Sequence, residues 1–222
     1  MVLTCWSAKG GSGTTVVAVA LSVLLAHEVA AGSLLVDLEG DAPVVYGIAQ
    51  PEGPGISDWL AAPQSVGTAA LERLEHSAAD GVRIVPRGRR ALAGEERVAS
   101  CAQHLQSDQR PVVVDVGCVT WDGDPDDLVR RRFIEASTTS LLVTRACFLS
   151  LRRAMSLPLR PTGIVLIEES GRALGSSDIE DILGVPVVAS IAIDPGVARS
   201  VDSGLFATRL PTSLGRALRD VA

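Results

Sequence analysis

Apolar residues in this chain fall into short unbroken runs, separated by glycine-marked turns and by longer helix-compatible segments. Residues 2–7 form one such run and stop at a glycine cluster, which predicts a buried strand. Residues 16–31 are apolar nearly all round and predict a helix, with Gly32 placed as its C-terminal cap. Residues 33–36 predict a second strand that stops at Asp37, completing a βαβ unit. The alternation continues with strands predicted at 82–85, 111–116, 140–144, 163–167 and 185–191. Helices are predicted at 95–105, 148–155 and 214–221. Ser177 and Glu180 have the spacing of a capping box for a short helix that Gly184 closes. At least six strands separated by helices predict an α/β fold, a doubly wound and mostly parallel sheet with helices on both faces. The whole chain, 1–222, reads as one such domain.

Two stretches break the rhythm. Residues 40–63 are rich in Gly and Pro, with one short helix expected near Ser57, and residues 119–127 read as an acidic loop. Both follow strand ends on the side where open α/β sheets bind ligands.

Composition narrows the picture. Hydrophobic residues make up 47% of the chain but aromatics only 3%, so the core must be built from Ala, Val, Leu and Ile. The charge of −6, from 20 basic and 26 acidic residues, gives no overall pull toward nucleic acid or anionic lipid. Cys5, Cys101, Cys118 and Cys147 lack a CxxC pairing and read as free thiols of a reducing compartment. No secretory leader pattern and no membrane-spanning apolar stretch is evident, so a cytoplasmic location is expected.

The candidate chemistry lies at residues 7–15, Ser-Ala-Lys-Gly-Gly-Ser-Gly-Thr-Thr. The segment follows a predicted strand and opens a predicted helix, the context in which a glycine-rich loop turns its amides toward an anion. The dinucleotide pattern GxGxxG fails at Val16. The ordinary P-loop pattern fails at Ala8 and at Thr14, where its lysine belongs. Asp37 and Glu39 follow the second strand, and Asp115 ends the apolar run 111–115, as a carboxylate aimed at Mg²⁺–water would.

Lys9-Gly10-Gly11-Ser12-Gly13-Thr14-Thr15 resembles the deviant Walker A motif, KGGxGK[ST], of the ParA/MinD superfamily, with Thr14 in place of the motif's second lysine. The CpaE/TadZ branch, where a small residue is common there, is the most similar. The resemblance implies ATP and Mg²⁺ as cofactors and a nucleotide-dependent homodimer in which Lys9 reaches the partner's nucleotide. It implies that Thr15 supplies a hydroxyl to Mg²⁺, with Asp37 and Asp115 in the metal's surroundings, and that Glu39 orients the attacking water. Lys9, Asp37 and Glu39 are thus the expected catalytic set, and residues 9–15 the expected nucleotide-binding set. A threonine hydroxyl hydrogen-bonds but neutralises no phosphate charge, so hydrolysis is expected to be weak or absent. The implied role is to position a cellular assembly, pilus or secretion related, through a partner protein. The alternatives are a DNA-partitioning ATPase and a pseudo-ATPase scaffold.

More loosely, residues 191–194 resemble the family's IPxD segment with Ala192 in place of proline, and Ile167-Glu168-Glu169 stands where many relatives carry an adenine-recognising asparagine. Asp122, Asp124, Asp126 and Asp127 lack the glycine and terminal glutamate of a calcium loop. His27, His76 and His104 have no metal-ligand spacing. Three arginine groups, 87/89/90, 130–132 and 152/153, are candidate DNA contacts, but the acidic total favours solvated helix faces. The final apolar stripe, Leu214, Ala217, Leu218 and Val221, is expected to pack on the domain rather than enter lipid.

Overall fold

A computed structural model describes residues 1–120 and 123–222. The first βαβ unit forms as its apolar pattern predicts: β1 (Val2–Ser7), α1 (Thr14–Glu28) and β2 (Ser33–Asp37). The Gly/Pro-rich stretch that follows holds two short helices, α2 (Ala42–Tyr46) and α3 (Ile56–Leu60). Then come β3 (His76–Ser77), β4 (Val82–Val85), α4 (Val98–Gln106), β5 (Val112–Cys118) and α5 (Pro125–Ala136). The C-terminal part adds β6 (Thr139–Arg145), α6 (Phe148–Ser156), β7 (Gly163–Glu168), α7 (Ser176–Leu183), β8 (Val187–Ala192), α8 (Pro195–Asp202) and α9 (Thr212–Leu218).

The strands form one sheet in the order β3-β4-β2-β5-β1-β6-β7-β8, parallel except for the antiparallel edge strand β3. β1 is central, paired with β5 on one side and β6 on the other. Its six residues are all buried, because both faces of the sheet are covered. Alternate strand residues feed two cores. Trp6, Val36, Val114 and Val116 meet α3, α4 and α5 on one face. Leu3, Leu35, Val113 and Val143 meet α1, α2 and α9 on the other. Trp6 is the largest fully buried side chain, and its indole N–H donates to Ser140 Oγ at 2.9 Å.

Several local expectations are corrected. α1 ends at Glu28, and Gly32 is not its cap; Gly32 has φ +78 and lies so close to Gly81 that a Cβ would stand 2.1 Å from the Gly81 carbonyl oxygen. The cap of α7 is Asp178, which accepts from Gly175 N at 2.8 Å, while Glu180 accepts from Val187 N at 2.7 Å. Gly184 does close α7, with φ +65. The acidic stretch 119–127 is not all loop: Asp124 accepts from Asp126 N at 3.0 Å and caps α5, with Pro125 at its first position. α2, α5, α8 and β3 have no counterpart in the sequence expectations. α8 starts from Asp194, whose carboxylate accepts from Gly196 N at 2.7 Å.

Among the described residues no helix is long and apolar enough to cross a membrane. The final stripe packs inward through Leu214 and Leu218, both buried against α1's side of the sheet. The four cysteines are free; Cys5 and Cys101 are buried, Cys118 and Cys147 half-buried.

Candidate functional site

β1, β2 and β5 run parallel, so their carboxyl ends reach the same edge of the sheet, with Asp37 level with Asp115 in the register. From Ser7 the chain turns through residues 8–13 and enters α1. Gly11 and Gly13 have φ +74 and +86, the left-handed region where an L side chain is strained. No atom lies within 4 Å of where a Cβ would point at Gly10, Gly11 or Gly13, so the hollow of the loop is open. Ser12 Oγ donates to Lys9 O at 2.7 Å and braces the turn. α1 begins with no side-chain cap and no acidic residue in its first turn. Its positive end and unpaired first amides are therefore left for an anion.

Thr14 is buried, and Thr15 half-buried beside it. Lys9 is half-buried; its Nζ donates to Gly10 O at 3.4 Å and pairs with no carboxylate among the described residues.

The two strand-end aspartates differ. Asp37 is fully enclosed, and its oxygens accept from the amides of Glu39 (3.0 Å), Gly40 (2.6 Å) and Ala42 (3.2 Å). It staples the turn into α2. Burial pushes its carboxyl up to about 6, against the pull of those three amides. Asp115 is equally buried, but only Oδ1 is engaged, by Gly117 N at 3.2 Å. Among the described residues its Oδ2 has no hydrogen-bond partner. Burial first, and then the Asp37 charge, push the Asp115 carboxyl well above the usual carboxylate range, while the Thr15 hydroxyl opposes the shift. A buried carboxyl with one unpaired oxygen, beside a threonine hydroxyl, is a donor set that fits a hard divalent cation such as Mg²⁺, which needs only one or two protein oxygens. Among the described residues, no cluster of three or more His, Cys, Asp or Glu offers an alternative metal cage.

Glu39 is held by Arg130, with Arg130 Nη2 at 2.8 Å from Glu39 Oε2. The contact is a charge contact without an aligned hydrogen bond, since that oxygen has no hydrogen-bond donor. Glu39 reaches this position because residue 117 is glycine: a Cβ there would lie 2.0 Å from Glu39 Oε2. Arg130 Nη1 donates to Cys118 O at 2.6 Å, and Asp127 Oδ1 lies 3.9 Å away. Asp127 in turn accepts from Thr120 N and Oγ1 at 2.8 and 2.9 Å. Arg87 completes the set by donating to Leu38 O and pairing with Asp126. The turn after β2 and the start of α5 are thus clamped together.

On the other side of the loop lies a cleft of about 430 Å³, bounded by Gly11–Gly13, Val16, Arg145, Ile167, Ile191 and α8. Its walls are mostly apolar. Arg145 lines it with Nε buried and without a partner.

The structure therefore brings Lys9, residues 10–15, Asp37, Glu39 and Asp115 to one edge. Arg130 and Arg145 were not legible as site residues. Arg130 sits in an arginine run that reads as a solvated face; only the i,i+3 spacing from Asp127 hinted at an inward partner. Of the three arginine groups, Arg87 and Arg130 are tied to carboxylates, Arg90 lies 3.3 Å from Asp58 and Arg132 pairs with Glu135 at 3.1 Å, while Arg152 and Arg153 are exposed on α6. Asp124, Asp126 and Asp127 serve caps and ion pairs, and Asp122 lies outside the described residues.

No protein-family model matches the chain. It is 30% identical over 227 residues to the uncharacterized protein Rv3660c of Mycobacterium tuberculosis, a match that takes in 96% of this chain and 60% of that protein. The chain thus spans about three fifths of the curated relatives it matches. Among solved structures it is similar to a ParA family ATPase from Chlorobium tepidum (TM-score 0.79, 22% identity, 99% of this chain and 96% of that one). It is also similar to the septum site-determining protein MinD of Pyrococcus horikoshii in complex with Mg-ADP (0.77, 20%, 99% and 93%). A third is the ATP complex of Cyanothece McdA (0.71, 16%, 99% and 95%). The fold is that of MinD and ParA-family ATPases.

Proposed function

We propose that this chain, folded as MinD and ParA-family ATPases are, binds ATP with Mg²⁺ at residues 9–15 and works as a dimerisation switch that positions a cellular assembly. The observation that carries the reading is the pairing of an open, left-handed glycine loop at the start of α1 with the buried Asp115 carboxyl, one oxygen of which is unpaired among the described residues, beside the Thr15 hydroxyl. Solved neighbours hold Mg-ADP and ATP on the same fold, which supports the choice of ligand.

Thr15 and Asp115 would hold Mg²⁺, which when bound supplies positive charge to the phosphates. The amides of residues 10–15 cradle the phosphates, and Lys9, free of any carboxylate, is placed to reach outward to a second copy's nucleotide. Asp37 holds the turn that carries Glu39, and Glu39 is the group that would orient water. The apolar cleft beside Gly13 receives the nucleoside, with no asparagine at 167–169 to read its base.

Two features favour binding over turnover, in the manner of the CpaE/TadZ-like branch. Thr14 brings no charge to the phosphates, and Glu39 is held by a buried arginine. The same two features favour a second reading, a pseudo-ATPase scaffold that dimerises without turnover. The exposed face of α6, with Phe148, Leu149 and Met155 beside Arg152 and Arg153, supports docking of a partner protein.

Sedimentation with and without Mg-ATP tests the switch. Wild-type protein is expected to shift toward a dimer with ATP, and Lys9→Ala to bind ATP yet stay monomeric. A wild-type chain whose oligomeric state ignores ATP refutes the switch.

A further inference from the structure

We propose that Arg130 is a sensor of the nucleotide's third phosphate, exchanging Glu39 for that phosphate when a triphosphate binds. The proposal rests on the nucleotide-binding reading above and adds to it a residue from outside the glycine loop.

Arg130 is nine-tenths buried, yet its guanidinium is only partly used. Nη1 is fixed on Cys118 O, and Nη2 faces Glu39 without forming an aligned hydrogen bond. Among the described residues Nε has no hydrogen-bond partner. Nε and Nη2 together form the edge of a guanidinium that grips two oxygens of one anion. A buried fork with one arm idle and the other misaligned fits a second anion better than the one it holds.

Its position suits that anion. Cys118, which anchors Arg130, pairs with Ser7 in the sheet, and Val119 N donates to Ser7 O at 2.8 Å. Ala8, Val119 and Thr120 line one cleft. Arg130 is therefore tethered to the strand end beside the first residues of the phosphate loop. The β2–β5 side of the edge is acidic, whereas Lys9 lies in the loop itself and Arg145 lines the cleft on its other side. Asp37, Asp115, Glu39 and Asp127 are acidic, Thr14 is neutral, and Arg87 is committed to Leu38 O and Asp126. A terminal phosphate carries more charge than a carboxylate and meets Nε and Nη2 together, which Glu39 as placed does not, so it displaces Glu39. The exchange releases Glu39 from its pair. It also relaxes the clamp between the turn after β2 and the start of α5, which couples the third phosphate to both segments.

The test is the ratio of ATP to ADP affinity in Mg²⁺, measured by calorimetry for wild type, Arg130→Gln, Arg130→Lys and Glu39→Gln, with thermal melts as a check on folding. Arg130→Gln is expected to lower the ATP:ADP preference about tenfold, and Arg130→Lys to restore part of it. Glu39→Gln, which removes the competing carboxylate, is expected to raise that preference several-fold. A purely structural ion pair moves both variants in the same direction or moves neither, and that outcome overturns the proposal. If Arg130→Gln does not fold, the sign of the Glu39→Gln change decides alone. Wild-type protein that binds neither nucleotide overturns the nucleotide reading itself and the sensor with it. Wild-type preference for ATP that survives in both variants overturns only the sensor.

Discussion

The glycine loop has two flanks of opposite character. On the β2–β5 side, Asp37 is stapled by three amides, Glu39 is paired with Arg130, and Arg87 bridges Leu38 to Asp126. On the β6–β8 side lies an apolar cleft of about 430 Å³ in which Arg145 stands without an ion pair among the described residues. One flank is largely wired, with Asp115 Oδ2 and Arg130 Nε its loose ends among the described residues, and the other is room. A site so arranged can accept a ligand on the open flank without rearrangement, whereas chemistry on the wired flank requires contacts to be exchanged first. The difference argues for a protein that binds nucleotide readily and hydrolyses it reluctantly.

The comparison breaks most sharply at Asp115. Asp115→Asn is expected to weaken ATP binding about a hundredfold in Mg²⁺ and to abolish the difference between titrations with Mg²⁺ and with EDTA, a loss of roughly 3 kcal/mol. An unchanged Mg²⁺ dependence would place the cation elsewhere. Next in size is Thr14→Lys, which puts a charge where the loop lacks one. Steady-state phosphate release is expected to rise tenfold or more, by about the worth of one preorganised charge contact. If the rate stays flat, the Glu39–Arg130 clamp rather than the missing lysine limits turnover.

On the open flank, Ala198→Trp fills the cleft from α8. It is expected to weaken ATP by roughly five- to tenfold while leaving inorganic tripolyphosphate unaffected, because only the nucleoside needs that room. Equal losses for both ligands would mean that the phosphates, not the nucleoside, occupy this side.

The smallest effect is in the pH dependence of the nucleotide-free protein. The Asp37 carboxyl is raised to about 6, so its contribution to stability is full below the ordinary carboxylate range and is lost as pH rises through 6. Glu75 and Asp108 are lowered and act the opposite way, but both are already ionised above pH 5. Urea denaturation should therefore show stability falling by at least about 1 kcal/mol from pH 5 to pH 7, because the raised Asp115 acts in the same direction. Asp37→Asn should lessen that slope without removing it.

Much of this architecture is legible in the sequence because the sheet is buried on both faces. Continuous apolar runs such as 112–114 and 164–167 mark strands plainly. The loop at 9–15 is legible for the same reason, since its chemistry is local. What escaped is non-local or fully polar. α5 begins in an acidic segment whose carboxylates look solvated until Arg87 and Thr120 are brought to them by the sheet. α8 is short and packs only through Val197 and Val201, both half-buried, too few to mark a helix in the sequence. Arg130 becomes a site residue only because β2 and α5 converge beyond Gly117, and no spacing along the chain encodes that meeting.

The central claim is that the glycine loop binds a nucleotide triphosphate with Mg²⁺, and calorimetric titration of Mg-ATP into wild type and Gly13→Val tests it most directly. Gly13 has φ +86 and open space around it, so valine strains the loop and crowds the hollow without striking the core. The account expects one ATP bound per wild-type chain and none in Gly13→Val that has kept its thermal melt. Absence of wild-type binding up to roughly 1 mM, an affinity of only about 4 kcal/mol, would contradict it, as would unchanged binding in the folded variant.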